Sequence, residues 1–155
     1  MQILFICTGN ICRSPFGEHL ARRLARDAGW SEVYFSSAGT HALEGYGCPP
    51  EALEASRMYR VDMAEHRAAQ VTPRMLSEAD LVLIMSADQG RFLRNLHPEI
   101  SEARIRGLAD YAPGPSRPPY VPDPYGAELW AYQACYRFMD VCVRGLMDDL
   151  RRRIR

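Results

Sequence analysis

The chain predicts an α/β fold in which a parallel sheet is covered by helices on both faces. Short apolar, partly β-branched runs at residues 2–6 and 81–85 read as strands buried on both sides. Helical stretches alternate with these runs, as parallel strands joined by crossovers require. The length of 155 residues suits one domain, 1–155, around one core.

The first strand is expected over 2–6, followed by a loop over 7–13. Ser14-Pro15 then opens a helix over 14–28, with Ser14 as cap, Leu20, Leu24 and Ala28 on one face and Gly29 as the stop. A second strand covers 33–35, with Ser37-Ala38-Gly39 following it. After a loop over 40–50, helices are expected over 51–59, within 63–75 and over 88–96, and a weaker strand over 105–108. Residues 111–124 contain six prolines and must be a loop, long enough to be a functional one. From 127 onward, Leu129, Cys135, Tyr136, Met139, Cys142, Val143, Leu146 and Leu150 form one apolar stripe of a long helix. In such a sheet ligands sit beyond the carboxyl ends of the strands at a switch point, so the loop after the first strand is where a site is expected.

Composition narrows the function classes. Hydrophobic residues make up 47% and charged residues 25%, which is globular. Apolar runs are far too short to span a membrane, and the N-terminus lacks signal-peptide character, so no membrane association is expected. The 19 basic and 19 acidic residues cancel, so nothing calls for a nucleic-acid partner. Lysine is absent, which excludes Schiff-base chemistry and a Walker-type phosphate lysine. Five cysteines, an odd number, indicate a reduced, cytoplasmic protein. No Cys-x-x-Cys or His-x-x-x-His pair is present, and no metal is expected.

The segment Cys7-Thr8-Gly9-Asn10-Ile11-Cys12-Arg13-Ser14 joins a buried strand to a helix start. A loop that curls there aims successive backbone N–H groups at one point, and the helix N-terminus adds positive potential. Gly9 and Asn10 tolerate the positive φ that the curl needs. The planar fork of Arg13 can grip two oxygens of a phosphate. At the mouth, the same donors favour the thiolate of Cys7, and Ser14 can donate a hydrogen bond to it. A leaving-group oxygen needs a proton from the opposite side, and Asp123, flanked by Pro122 and Pro124, is the candidate acid, with Tyr125 as an aromatic wall. A bare turn Asp before Pro is the alternative.

CTGNICRSP at 7–15 with Asp123-Pro124-Tyr125 far downstream resembles the low-molecular-weight protein tyrosine phosphatases, across the whole chain. The resemblance implies a four-stranded parallel sheet, no cofactor and no metal. It implies Cys7 as nucleophile, Arg13 as phosphate clamp, Asp123 as acid and then base, and Ser14 as thiolate partner. Asn10, helped by Ser37, would hold the loop in shape. Thr8, Gly9, Ile11 and Cys12 complete the phosphate cradle, and Cys12 would also form a reversible disulfide with Cys7. Leu43 falls where bacterial members carry an aliphatic wall residue, and His41 in the same loop reads as a solvated side chain. His66 matches a histidine that pins the loop from behind, with Ser86 where its carboxylate partner is expected.

Three rivals are weaker. An arsenate reductase needs a cysteine pair after the third strand, where Met85 to Gln89 contains none. An arginine phosphatase resembles this loop but carries Thr in place of Ile11. A phosphate-binding module without turnover would be expected to lose Cys7, Arg13 or Asp123. The implied substrate is a phosphotyrosine protein, either a bacterial tyrosine autokinase of polysaccharide export or a target of a secreted effector. The expected state is a monomer or weak dimer.

Overall fold

The computed structural model describes residues 1–154. Four strands, β1 (Gln2–Cys7), β2 (Tyr34–Gly39), β3 (Leu81–Ile84) and β4 (Ile105–Gly107), form one sheet in the order β2-β1-β3-β4. All three pairings are parallel. The chain leaves β1 toward β2 on one side and later returns to β3 on the other, so the end of β1 is the switch point. The helices are α1 (Arg13–Asp27), α2 (Pro50–Arg57), α3 (Pro73–Glu78), α4 (Ala87–Leu96) and α5 (Leu129–Arg153).

Alternation along β1 divides the core. Ile3, Phe5 and Cys7 pack with α1, α2 and α5, whereas Leu4 and Ile6 pack with residues of α3, α4 and β4. Phe5, Phe16, Leu20 and Tyr136 are wholly buried, each contributing roughly 1.5–3 kcal/mol of burial free energy. The Phe16 and Tyr136 rings stack at 3.9 Å and fasten α5 onto α1. Gly17 lets α1 lie close to the sheet, because a Cβ there would come within 2.7 Å of the Phe5 ring.

Several boundaries depart from expectation. Strand β2 continues to Gly39, so Ser37 lies within the strand; its polar residues hide the pattern, and pairing of Leu4 with Ser36 through Cys7 with Gly39 supplies the ladder. Helix α1 starts one residue early with Cys12 at its cap position, and its buried face is Phe16, Leu20, Ala21 and Ala25, leaving Ala28 exposed. Ser14 is therefore not a cap. Residues 63–72 form no helix. Instead the chain runs beside Gly39, accepting its N–H at Ala69 (2.9 Å) and donating from Val71 (2.9 Å). Helix α3 begins only at Pro73, where the Thr72 hydroxyl caps Met75 at 3.2 Å. Helix α5 starts at Leu129 and also buries Tyr132 and Met147. Among the described residues, no helix is long and apolar enough to cross a membrane.

Candidate active site

The loop after β1 is tied down by its carbonyl groups. The carbonyls of Cys7, Thr8 and Gly9 accept backbone N–H groups from Thr40, His41 and Leu43 at 3.0, 2.9 and 3.1 Å. The Asn10 carbonyl accepts from His66 Nε2 at 2.8 Å, and the Cys12 carbonyl from the Tyr136 hydroxyl at 2.7 Å. In a planar trans peptide the next residue's N–H points opposite to the carbonyl. Anchoring these five carbonyls outward therefore turns the N–H groups of Thr8, Gly9, Asn10, Ile11 and Arg13 inward. Among the described residues, none of the N–H groups of Thr8 to Cys12 donates to another backbone carbonyl. The result is a concave array of free donors above the start of α1, suited to an anion.

Asn10 gives the curl its shape, with φ at 58° and its side chain wholly buried. Its Nδ2 donates to Ser14 Oγ at 2.7 Å and to Ser37 Oγ at 3.0 Å, while its Oδ1 accepts the Ala69 N–H at 2.9 Å. Because Ser14 Oγ accepts from Asn10, its own proton is free for Cys7 Sγ, 2.9 Å away, in preference to the Ala38 carbonyl at 3.5 Å. Ser37 in turn donates to Glu18, whose other oxygen pairs with Arg22 at 2.7 Å.

Arg13 is almost completely buried. It donates to the Val121 carbonyl at 2.9 Å and lies 3.4 Å from the Asp123 carboxylate, while its Nε has no partner among the described residues. A buried, unsatisfied guanidinium donor is unusual, and it borders the donor array. The proline-rich segment is fixed by Val121, which donates to the Met85 carbonyl at 2.9 Å. Asp123 follows, half-exposed, with Oδ1 accepting the Tyr125 N–H at 3.1 Å. One pocket is lined by Cys7, Thr8, Gly9, Ile11, Cys12, Arg13, His41, Leu43, Asp123 and Tyr125. The sequence-predicted cradle, acid and wall residues thus meet in a single cleft.

A family model for the low molecular weight phosphotyrosine protein phosphatases matches residues 2–155. The chain belongs to the low-molecular-weight protein tyrosine phosphatase family. It is 36% identical to a low molecular weight protein-tyrosine-phosphatase of Streptomyces coelicolor, over 99% of this chain and 95% of that one. The tyrosine phosphatase Wzb from Escherichia coli K30, solved with sulphate, superposes with a TM-score of 0.85 at 27% identity, covering 96% and 97% of the two chains. The YwlE arginine phosphatase from Geobacillus stearothermophilus gives a TM-score of 0.85 at 26% identity over 98% and 94%.

Some features of this family member escape sequence reading. Gln89 of α4 holds the loop from the side, donating to Thr8 Oγ1 at 3.3 Å and accepting the Met85 and Ser86 N–H groups at 2.7 and 3.1 Å. Gln70 secures the wall loop, accepting from Ala42 at 2.8 Å and donating to the Thr40 carbonyl at 2.7 Å. Ser86 heads α4 and is not found beside His66; the carboxylate beside His66 is Glu18 of α1. His41 is exposed, as expected of a loop histidine, yet its ring lies 5.0 Å from Phe92 and borders the pocket. Tyr132 is buried, and its hydroxyl lies 3.6 Å from Cys12 Sγ. Burial pushes the Cys12 thiol up to about 12, with the Tyr132 hydrogen bond opposing. The Ser86-x-x-Gln89 capping box could have marked Gln89 as a helix-start residue, but no signal in the sequence ties Gln89 to Thr8, Gln70 to Thr40 and Ala42, or Glu18 to Ser37 and His66, because those partners lie far away in the chain.

Proposed function

We propose that this chain hydrolyses phosphotyrosine in proteins through a cysteinyl-phosphate intermediate. The observation that carries the reading is the 2.9 Å contact of Cys7 Sγ with a Ser14 hydroxyl whose oxygen is already taken by Asn10, at the base of an inward-facing donor array. The phosphate oxygens lie against that array and against Arg13, whose unpaired Nε offers a further donor. The incoming dianion competes with Asp123 for Arg13, freeing the carboxyl to face the leaving oxygen and hold a proton. Cys7 sulfur then bonds to phosphorus as the P–O bond to tyrosine breaks, and Asp123 gives its proton to the phenolic oxygen. In the second step water attacks phosphorus, Asp123 takes the water proton, and the S–P bond breaks to restore the thiolate. The Ser14 hydrogen bond stabilises the sulfur each time it carries charge.

Ile11, Leu43 and Tyr125 supply apolar walls for a phenyl ring. The similarity to YwlE keeps an arginine phosphatase as the second reading, and Ile11 argues against it, since a polar guanidinium gains no hydrogen bond from that side chain. We propose a tyrosine-phosphorylated protein as partner, with a tyrosine autokinase as the first candidate. Rates on phosphotyrosine, phosphoarginine and phosphoserine peptides test the assignment; phosphotyrosine should dominate, and a preference for phosphoarginine would reverse it. Cys7→Ser should abolish turnover. Asp123→Asn should slow phosphoenzyme formation by roughly 10²-fold or more. Full activity in either variant would remove that residue from the mechanism.

A further inference from the structure

Behind the loop, and outside the pocket lining, Glu18, His19 and His66 each offer a ligand atom within 4.8 Å of the others. We propose that these three side chains form a site for a divalent transition metal of the zinc class, and that its occupation slows the enzyme by loosening the hold on Asn10. Two imidazoles and a carboxylate match zinc ligand chemistry, with a fourth position left for water. The donor to a carbonyl must carry the proton, so the bond from His66 Nε2 to the Asn10 carbonyl leaves Nδ1 as a lone pair. A metal-binding imidazole typically donates its other N–H in this way. His19 makes no hydrogen bond among the described residues, and its ring meets that of His66 edge-on at 5.9 Å. Glu18 is 6% exposed and is oriented by Arg22 and Ser37, as supporting partners orient a metal-bound carboxylate. Arg22 is itself anchored on the Phe35 carbonyl at 2.8 Å. Tetrahedral zinc needs ligand atoms about 3.4 Å apart, so atoms now within 4.8 Å of one another must close by about 1.4 Å at most.

The coupling follows from shared atoms. His66 holds the Asn10 carbonyl, and Glu18 holds Ser37, which accepts from Asn10 Nδ2. Closing Glu18 and His66 onto a metal moves both side chains while these bonds persist, so it stretches the two grips that hold Asn10 and loosens the loop. This inhibitory part rests on the phosphatase reading; the site itself does not.

Zinc titrated calorimetrically into Cys7→Ser protein, which removes the competing thiol that lines the pocket, should show one site. Adding His19→Ala, or the isosteric-polar His19→Gln, should weaken it at least tenfold. Equal zinc affinity with and without His19 would overturn the site. In the enzyme with Cys7 intact, zinc should lower kcat against para-nitrophenyl phosphate without competing with substrate. His19→Ala should keep metal-free activity and shift the inhibiting concentration at least tenfold. Inhibition that competes with substrate and ignores His19 overturns the coupling. An enzyme inactive on every phosphate ester would count against the phosphatase reading, while the calorimetry still decides the site.

Discussion

Replacing Asn10 with Ala tests whether one buried side chain sets the loop. Asn10 makes three hydrogen bonds, to Ser14, Ser37 and the Ala69 N–H, at 2.7–3.0 Å. Each is worth about 1 kcal/mol net when lost from a buried position. The left-handed backbone at φ 58° suits Asn better than Ala and adds about 1 kcal/mol. The expected loss is therefore about 4 kcal/mol, or roughly 8–16 °C in Tm for a chain of this size. Asn10→Gly removes the same hydrogen bonds but not the backbone preference, so it should lose about 1 kcal/mol less. In both variants the Ser14 proton is no longer steered to Cys7, and kcat on para-nitrophenyl phosphate should fall at least tenfold. Urea unfolding with parallel initial-rate kinetics measures both effects. Asn10→Ala protein within 1 kcal/mol of the parent and with unchanged kcat would show that the loop holds its form without Asn10.

Three further outcomes are expected. Gly39→Ala brings a Cβ within 2.5 Å of the Thr8 carbonyl and 3.1 Å of the Asn10 nitrogen, so the loop must shift and kcat/KM should drop at least tenfold; steady-state kinetics that match the parent would contradict this. Tyr136→Phe keeps the stack on Phe16 but strands the Cys12 carbonyl, costing about 1–3 kcal/mol by chemical denaturation, and a loss below 0.5 kcal/mol would count against that anchor. After peroxide converts Cys7 to its sulfenic acid, disulfide closure needs the Cys12 thiolate. With that thiol pushed up to about 12, closure should accelerate about tenfold per pH unit between pH 6 and 9, read by mass spectrometry of trapped samples; a flat profile would refute it.

Local chemistry was legible wherever neighbouring residues carry it. The buried runs in β1 and β3, the Gly-Asn curl after Cys7, the proline-rich segment and the apolar stripe of α5 all state their conformation through adjacent or periodic side chains. The pattern misled where polar residues sit inside regular structure, as Ser36 and Ser37 do in β2, and it left the short helix expected within 63–75 loosely placed: that helix begins only at Pro73, because residues before it run beside Gly39. Ser14 reads as a helix cap in isolation, but its hydroxyl is committed to Cys7 and Asn10.

By itself the sequence determined the α/β class and the Gly-Asn loop that carries a thiol and a guanidinium between a strand and a helix, because those depend on residue type and near-neighbour spacing. Spacing alone marked Asp123 only as a candidate acid beside the alternative of a turn residue. Only the tertiary structure decided that Arg13 is braced by Val121 and Asp123, that Glu18 and His19 meet His66, and that Gln89 supports Thr8. Such contacts join side chains whose separation along the chain carries no period, so nothing but the packing of helices against the sheet brings them within reach.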